Sequence, residues 1–97
     1  MPRKDQHISL SEALQQFIEE HKLQKGIDQV RVREAWISVM GKGVNRYTTD
    51  IRLKNETLVV SLSSSVLREE LSYGKEKIIA MINEELGKTL VKELFLK

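Results

Sequence analysis

From Tyr47 to Ser64 apolar and polar residues alternate, and the alternation folds back on itself about Asn55-Glu56. With those two residues as a hairpin turn, Leu53 faces Leu58, Ile51 faces Val60, Thr49 faces Leu62 and Tyr47 faces Ser64, which makes one face apolar. The other face sets Thr48, Asp50, Arg52 and Lys54 opposite Ser63, Ser61, Val59 and Thr57. That composition belongs to a solvated or partner-facing surface, not to a core. Asn-Glu is a weaker turn signal than Asn-Gly, so the alternation, more than the turn dipeptide, sets the register.

Helical periodicity flanks the hairpin on both sides. Ser9 and Glu12 have the spacing of a capping box, and Leu10, Ala13, Leu14, Phe17 and Ile18 then share one face, which predicts a helix over 9–21. Gly26 is expected to break the chain there, and Asp28 to cap a second helix with an apolar stripe of Val32, Trp36, Val39 and Met40. Gly41 and Gly43 would terminate it. After the hairpin, Ser64 or Ser65 caps a long helix to Leu86 whose inner face carries Leu67, Leu71, Gly74, Ile78, Met81 and Ile82. Gly74 on that face would allow close packing on the sheet or a kink. Gly87 stops the helix, and Leu90, Val91, Leu94, Phe95 and Leu96 make a last strand that can return parallel to the hairpin through a crossover.

The expected architecture is therefore α+β, in the order α-α-β-β-α-β: a three-stranded sheet with helices packed on one face. Residues 1–8 read as a flexible N-terminal arm and 9–97 as a single domain, since 97 residues build one modest core. No stretch is long and apolar enough to span a membrane, and no secretory signal follows Met1, so the expected compartment is the cytoplasm.

The sequence is poor in catalytic groups. There is no Cys, and His7 and His21 lack metal-site spacing, so neither a metal nor another cofactor is expected. Gly41-Lys42-Gly43 follows a predicted helix where a phosphate loop would follow a strand, and no serine among residues 61–65 sits in a nucleophile elbow. An enzyme is not expected. The net charge of +2 falls well short of a strong nonspecific DNA binder. Lys42, Arg46, Arg52 and Lys54, set against Glu34 and Asp50, form either a mildly basic patch around the first strand or an ordinary mixed surface. As a patch they are the candidate phosphate contacts, and Tyr73 is a candidate to join Arg46 and Arg52 in a recognition surface. Trp36, the sole tryptophan, sits in an apolar stripe and reads as a core anchor before it reads as a base-stacking platform.

Trp36, Val39 and Gly41 as W-x-x-V-M-G, the run from Leu58 to Leu71, and then Ile82-Asn83 and Leu86-Gly87 resemble the DciA family over about residues 30–96. The resemblance implies a domain similar to a KH fold, whose type II form runs helix, strand, strand, helix, helix, strand. A true KH domain grips a nucleic-acid backbone with a G-x-x-G loop between its central helices. This chain offers only Gly74 there, so the fold alone does not carry RNA binding over. Family members are associated with the bacterial replicative helicase and help to place it on DNA without hydrolysing nucleotide. Many carry a basic or disordered extension beyond this domain, and this sequence ends at Lys97.

The resemblance thus implies a DNA-replication accessory protein whose partners are the replicative helicase and, as a further candidate, single-stranded or forked DNA. The alternative is a small nucleic-acid-binding module that uses Lys42, Arg46, Arg52 and Lys54. Exposed Val59 and an edge strand near residues 90–96 are candidate surfaces for a weak homodimer.

Overall fold

The hairpin closes about the turn that the alternation implies. In the computed structural model, which describes residues 9–97, β1 (Thr48–Lys54) and β2 (Thr57–Leu62) pair antiparallel, with Leu53 opposite Leu58 and Ile51 opposite Val60. Asn55 takes a φ of 57°, a left-handed conformation that asparagine tolerates better than most side chains, so the turn closes without glycine. The expected arm over residues 1–8 lies outside the described residues.

The register departs from strict alternation at one end. A bulge between Thr48 and Asp50 puts Thr48 opposite Leu62, where Thr49 was expected, and the Tyr47 carbonyl accepts from the Ser63 N–H at 2.8 Å instead of Tyr47 facing Ser64. The Thr48 hydroxyl accounts for the shift: it accepts from Trp36 Nε1 at 3.2 Å and donates to the Val44 carbonyl at 2.9 Å. One extra residue in the strand turns that side chain inward to make both bonds.

The first two expected helices are one element, α1 (Leu10–Asn45). Ser9 caps it as expected, accepting from the Glu12 N–H at 3.2 Å. Gly26 does not interrupt it. A mid-helix glycine costs only about 1 kcal/mol relative to alanine, and the Gln24 amide bonds Asp28 at 3.0 Å across that turn, so Asp28 lies inside the helix and caps nothing. The interruption falls at Gly41, with φ 79° and ψ 177°, a backbone conformation essentially restricted to glycine. A single further turn follows to Asn45, whose amide bonds the Ile37 carbonyl at 2.9 Å and the Gly41 carbonyl at 2.6 Å, satisfying acceptors the break sets free.

Beyond the hairpin, Ser64 is the cap of the next helix, accepting from the Leu67 N–H at 3.1 Å. The expected single long helix is divided into α2 (Ser65–Ser72) and α3 (Lys75–Leu86). At the junction the Ser72 hydroxyl bonds the Glu69 carbonyl at 2.6 Å, and the Tyr73 and Gly74 amides bond three residues back, which tightens the turn and ends the α-helical ladder. A Cβ at Gly74 would meet nothing within 4 Å, so the glycine marks a break and not a close approach to the sheet. Gly87 ends α3 in the left-handed region at φ 76°, as expected.

Asn83 then organises the return of the chain. Its side-chain oxygen accepts from the Leu90 and Val91 amides at 3.0 and 2.9 Å, and its amide donates to the Val91 carbonyl at 2.8 Å. Those bonds hold residues 90–91 outside the sheet, so β3 spans Glu93–Leu96 only and runs parallel to β2, with Phe95 opposite Val59.

The class is α+β, with a three-stranded sheet in the order β1-β2-β3 and helices on one face. By continuous elements the chain reads α1-β1-β2-α2-α3-β3, which is the order the KH resemblance implies. The core lies between sheet and helices: Ile51, Leu58, Val60, Leu94 and Leu96 from the strands meet Val32, Trp36, Ile78, Ile82 and Leu86 from α1 and α3. Arg31 donates to the Leu86 carbonyl at 2.8 Å at the negative end of α3, pinning α1 to it.

Candidate functional site

The four candidate phosphate contacts do not form one patch. Lys42 and Arg46 are exposed at the turn between α1 and β1, whereas Lys54 is exposed at the hairpin tip, about 20 Å away along β1. Arg52 lies on the outer sheet face two residues from Lys54, roughly 7 Å along the strand. Its Nε is 2.8 Å from the Asp50 carboxylate, an exposed pair that sets a negative charge beside it. Tyr73 is exposed but sits at the α2–α3 junction, and among the described residues no bond joins it to Arg46 or Arg52.

Among the described residues no helix covers the outer face of the sheet. In register across it stand Arg52, Val59 and Phe95, with Phe95 53% exposed. Sequence reading placed Phe95 in the last strand without assigning it a face, because it lies in an unbroken apolar run, Leu94-Phe95-Leu96. Strand parity is the signal that separates it: Leu94 and Leu96 are buried on the inner face and Phe95 must point the other way. Trp36, by contrast, is wholly buried and bonded to Thr48, which rules it out as a stacking platform.

The largest departure from expectation is in α1. Leu10, Leu14, Phe17 and Ile18, expected to pack on the core, are all exposed, Phe17 at 65%. Eighteen residues are five helical turns, so Leu14, Phe17 and Ile18 lie directly in line with the core residues Val32, Ala35 and Trp36. The stripe is the same one, but its first half runs past the end of the sheet. Among the described residues every one before Asp28 is exposed, which leaves an arm about 27 Å long. Leu23, Ile27 and Val30 make a second exposed apolar row on the opposite side of the arm. The radius of gyration, 18.1 Å, against about 12.5 Å for a compact chain of this length, and the 62 × 22 × 20 Å dimensions reflect that projection. The exposed stripe escaped sequence reading because periodicity tells which residues share a face and not whether anything covers it.

Fold and surfaces together define an α+β domain that presents faces, edges and a projecting helix. The chain belongs to the DciA family: the family model described as Dna[CI] antecedent, DciA, matches residues 9–96, a span that includes the whole of α1. That family is associated with DNA replication and helicase loading, and is not a known class of enzyme. No curated protein and no solved structure matches the chain. Among the described residues no helix is long and apolar enough to cross a membrane.

Proposed function

We propose that this chain is a non-enzymatic accessory protein of DNA replication that binds the replicative helicase through the projecting half of α1 and assists its placement on DNA. The observation that carries the reading is the pair of uncovered apolar rows on a helix that the family match takes in from residue 9. A helix with apolar rows at i, i+3, i+4 and i+7 spacing suits a hydrophobic groove or a helical partner, and burying it offsets the cost of exposing Leu14, Phe17 and Ile18 to water. The test is co-elution of the purified protein with the replicative helicase of the same cell at moderate salt. Co-elution that Leu14→Asp with Phe17→Asp abolishes supports the reading; separate elution of the unaltered protein overturns it.

A second reading, direct contact with single-stranded or forked DNA, is favoured by the exposure of Lys54 and Arg52 on the helix-free sheet face, with Lys42 and Arg46 at the far end of the same strand. Cations strung along about 20 Å can follow an extended phosphate backbone. Such binding weakens steeply with salt.

A further inference from the structure

The two edges of the sheet are treated differently. On the β1 edge, the Gln29 side-chain amide bonds both the N–H and the C=O of Leu53, the former at 3.0 Å, and Arg33 donates to the Ile51 carbonyl at 3.0 Å. These are three of the four outward-facing N–H and C=O groups of Ile51 and Leu53, because Asp50, Arg52 and Lys54 pair with β2. That edge is capped. On the β3 edge, Glu93, Phe95 and Lys97 face β2: the Glu93 N–H bonds the Glu56 carbonyl at 3.2 Å, and Lys97 bonds Val60 at 2.9 Å and Leu62 at 2.7 Å. Leu94 and Leu96 therefore aim their N–H and C=O groups away from the sheet. Among the described residues no side chain bonds them, and an open depression beside Leu94 and Phe95 separates the edge from Lys75 and Ile79 of α3.

We infer that the β3 edge is a self-association surface whose occupant is β3 of a second copy, running antiparallel about a two-fold axis at Phe95. The sequence of the strand is self-complementary in that register alone. Leu94 stands opposite the partner copy's Leu96 as a hydrogen-bonded pair, and the converse pair is the same by symmetry, so all four outward N–H and C=O pairs are satisfied. Phe95 meets its own counterpart at the non-hydrogen-bonded position, where Cα atoms approach to about 4.5 Å and side chains touch most closely. Glu93 falls opposite Lys97 of the other copy, on the same outer face as Phe95, so opposite charges flank the aromatic pair on both sides. A shift of two residues in either direction would lose both charge pairs and the aromatic contact together. The result is a continuous six-stranded sheet whose only free edges are the two capped β1 strands. With four residues per strand the association is weak and concentration-dependent. The inference does not depend on the identity of the partner held by α1.

Sedimentation of the full chain from about 10 µM to about 1 mM tests it. The unaltered protein is expected to move from monomer to dimer across that range. Glu93→Lys and Lys97→Glu, each alone, set like charges across the axis and should weaken association at least tenfold. An equimolar mixture of the two variants restores opposite charges at both positions and should recover it, an outcome that damage to folding could not produce. Because the chain contains no cysteine, Phe95→Cys provides a second measurement: mild oxidation should cross-link it across the axis much faster than Arg52→Cys on the same face. A monomer at every concentration together with equal cross-linking rates overturns the inference. So does a dimer that neither charge reversal weakens, which would place the contact on the α1 arm instead.

Discussion

The Gln29 side chain occupies the place of a missing strand beside Leu53: its oxygen accepts from the Leu53 N–H at 3.0 Å and its nitrogen donates to the Leu53 carbonyl. A primary amide reproduces the donor and acceptor of a peptide group, so one residue of α1 closes an edge that would otherwise template pairing with another chain. Gln29→Ala removes both bonds and is expected to cost about 1–2 kcal/mol in urea unfolding. Gln29→Glu keeps the acceptor for the N–H but sets a carboxylate against the Leu53 carbonyl, and is expected to cost at least as much as alanine despite its matching shape.

The same helix carries residues whose removal should have opposite consequences. Leu14→Asp with Phe17→Asp alters exposed side chains outside the core, Phe17 stacking only on the exposed His21 ring one turn along the same helix. The unfolding free energy should therefore change by no more than about 1 kcal/mol while co-elution with the helicase is lost. Val32→Ala, five turns along the stripe from Leu14, should cost about 2–4 kcal/mol, because Val32 is fully buried against Trp36 and the sheet. Denaturation curves and co-elution run on both proteins separate the binding half of α1 from its folding half.

Thr48→Val replaces the hydroxyl that joins Trp36 to the Val44 carbonyl and leaves a buried indole N–H without a partner. A loss of about 1–3 kcal/mol is expected. The bulge should also relax, because no bond then holds Thr48 inward, and amide chemical shifts at Thr49 and Asp50 would report it.

Gly41→Ala puts a Cβ on a backbone at φ 79° and ψ 177°, where an L-residue is strained whatever space surrounds it. The expected cost is about 1–3 kcal/mol by thermal or chemical unfolding. Gly26→Ala, inside regular helix, should stabilise by about 0.5–1 kcal/mol.

If the strung cations contact DNA, four phosphate contacts on a single strand give a log–log salt slope of about −3. Arg46→Glu with Arg52→Glu should reduce the slope by half or abolish binding altogether, measured by fluorescence anisotropy at several salt concentrations. A slope unchanged by that double reversal would remove these residues from the DNA surface.

Local chemistry was enough for the hairpin, for several helix ends and for most of the strand pairing. It was not enough for the continuity of the helices, since α1 runs through Gly26 and the expected long helix parts at Gly74. The period of two on either side of Asn55-Glu56 set Leu53 against Leu58 and Ile51 against Val60, because a strand slipped by one residue would turn its whole apolar set to solvent. Ser9, Ser64 and Gly87 were legible as helix ends for the same reason: caps act within one turn. Of the four cations named as phosphate contacts, exposure was legible and proximity was not, since Lys42 and Lys54 are brought near or kept apart only by the path of β1. Tertiary structure alone decided the rest. The bulge at Thr49 exists because Trp36, twelve residues before Thr48, needs a partner for its indole N–H. Phe95 is exposed and its two neighbours buried because β3 lies on a sheet covered on one side. The apolar stripe of α1 is continuous in sequence, but the sheet under it is only about 20 Å long, so the same pattern makes core at Val32 and an open surface at Leu14.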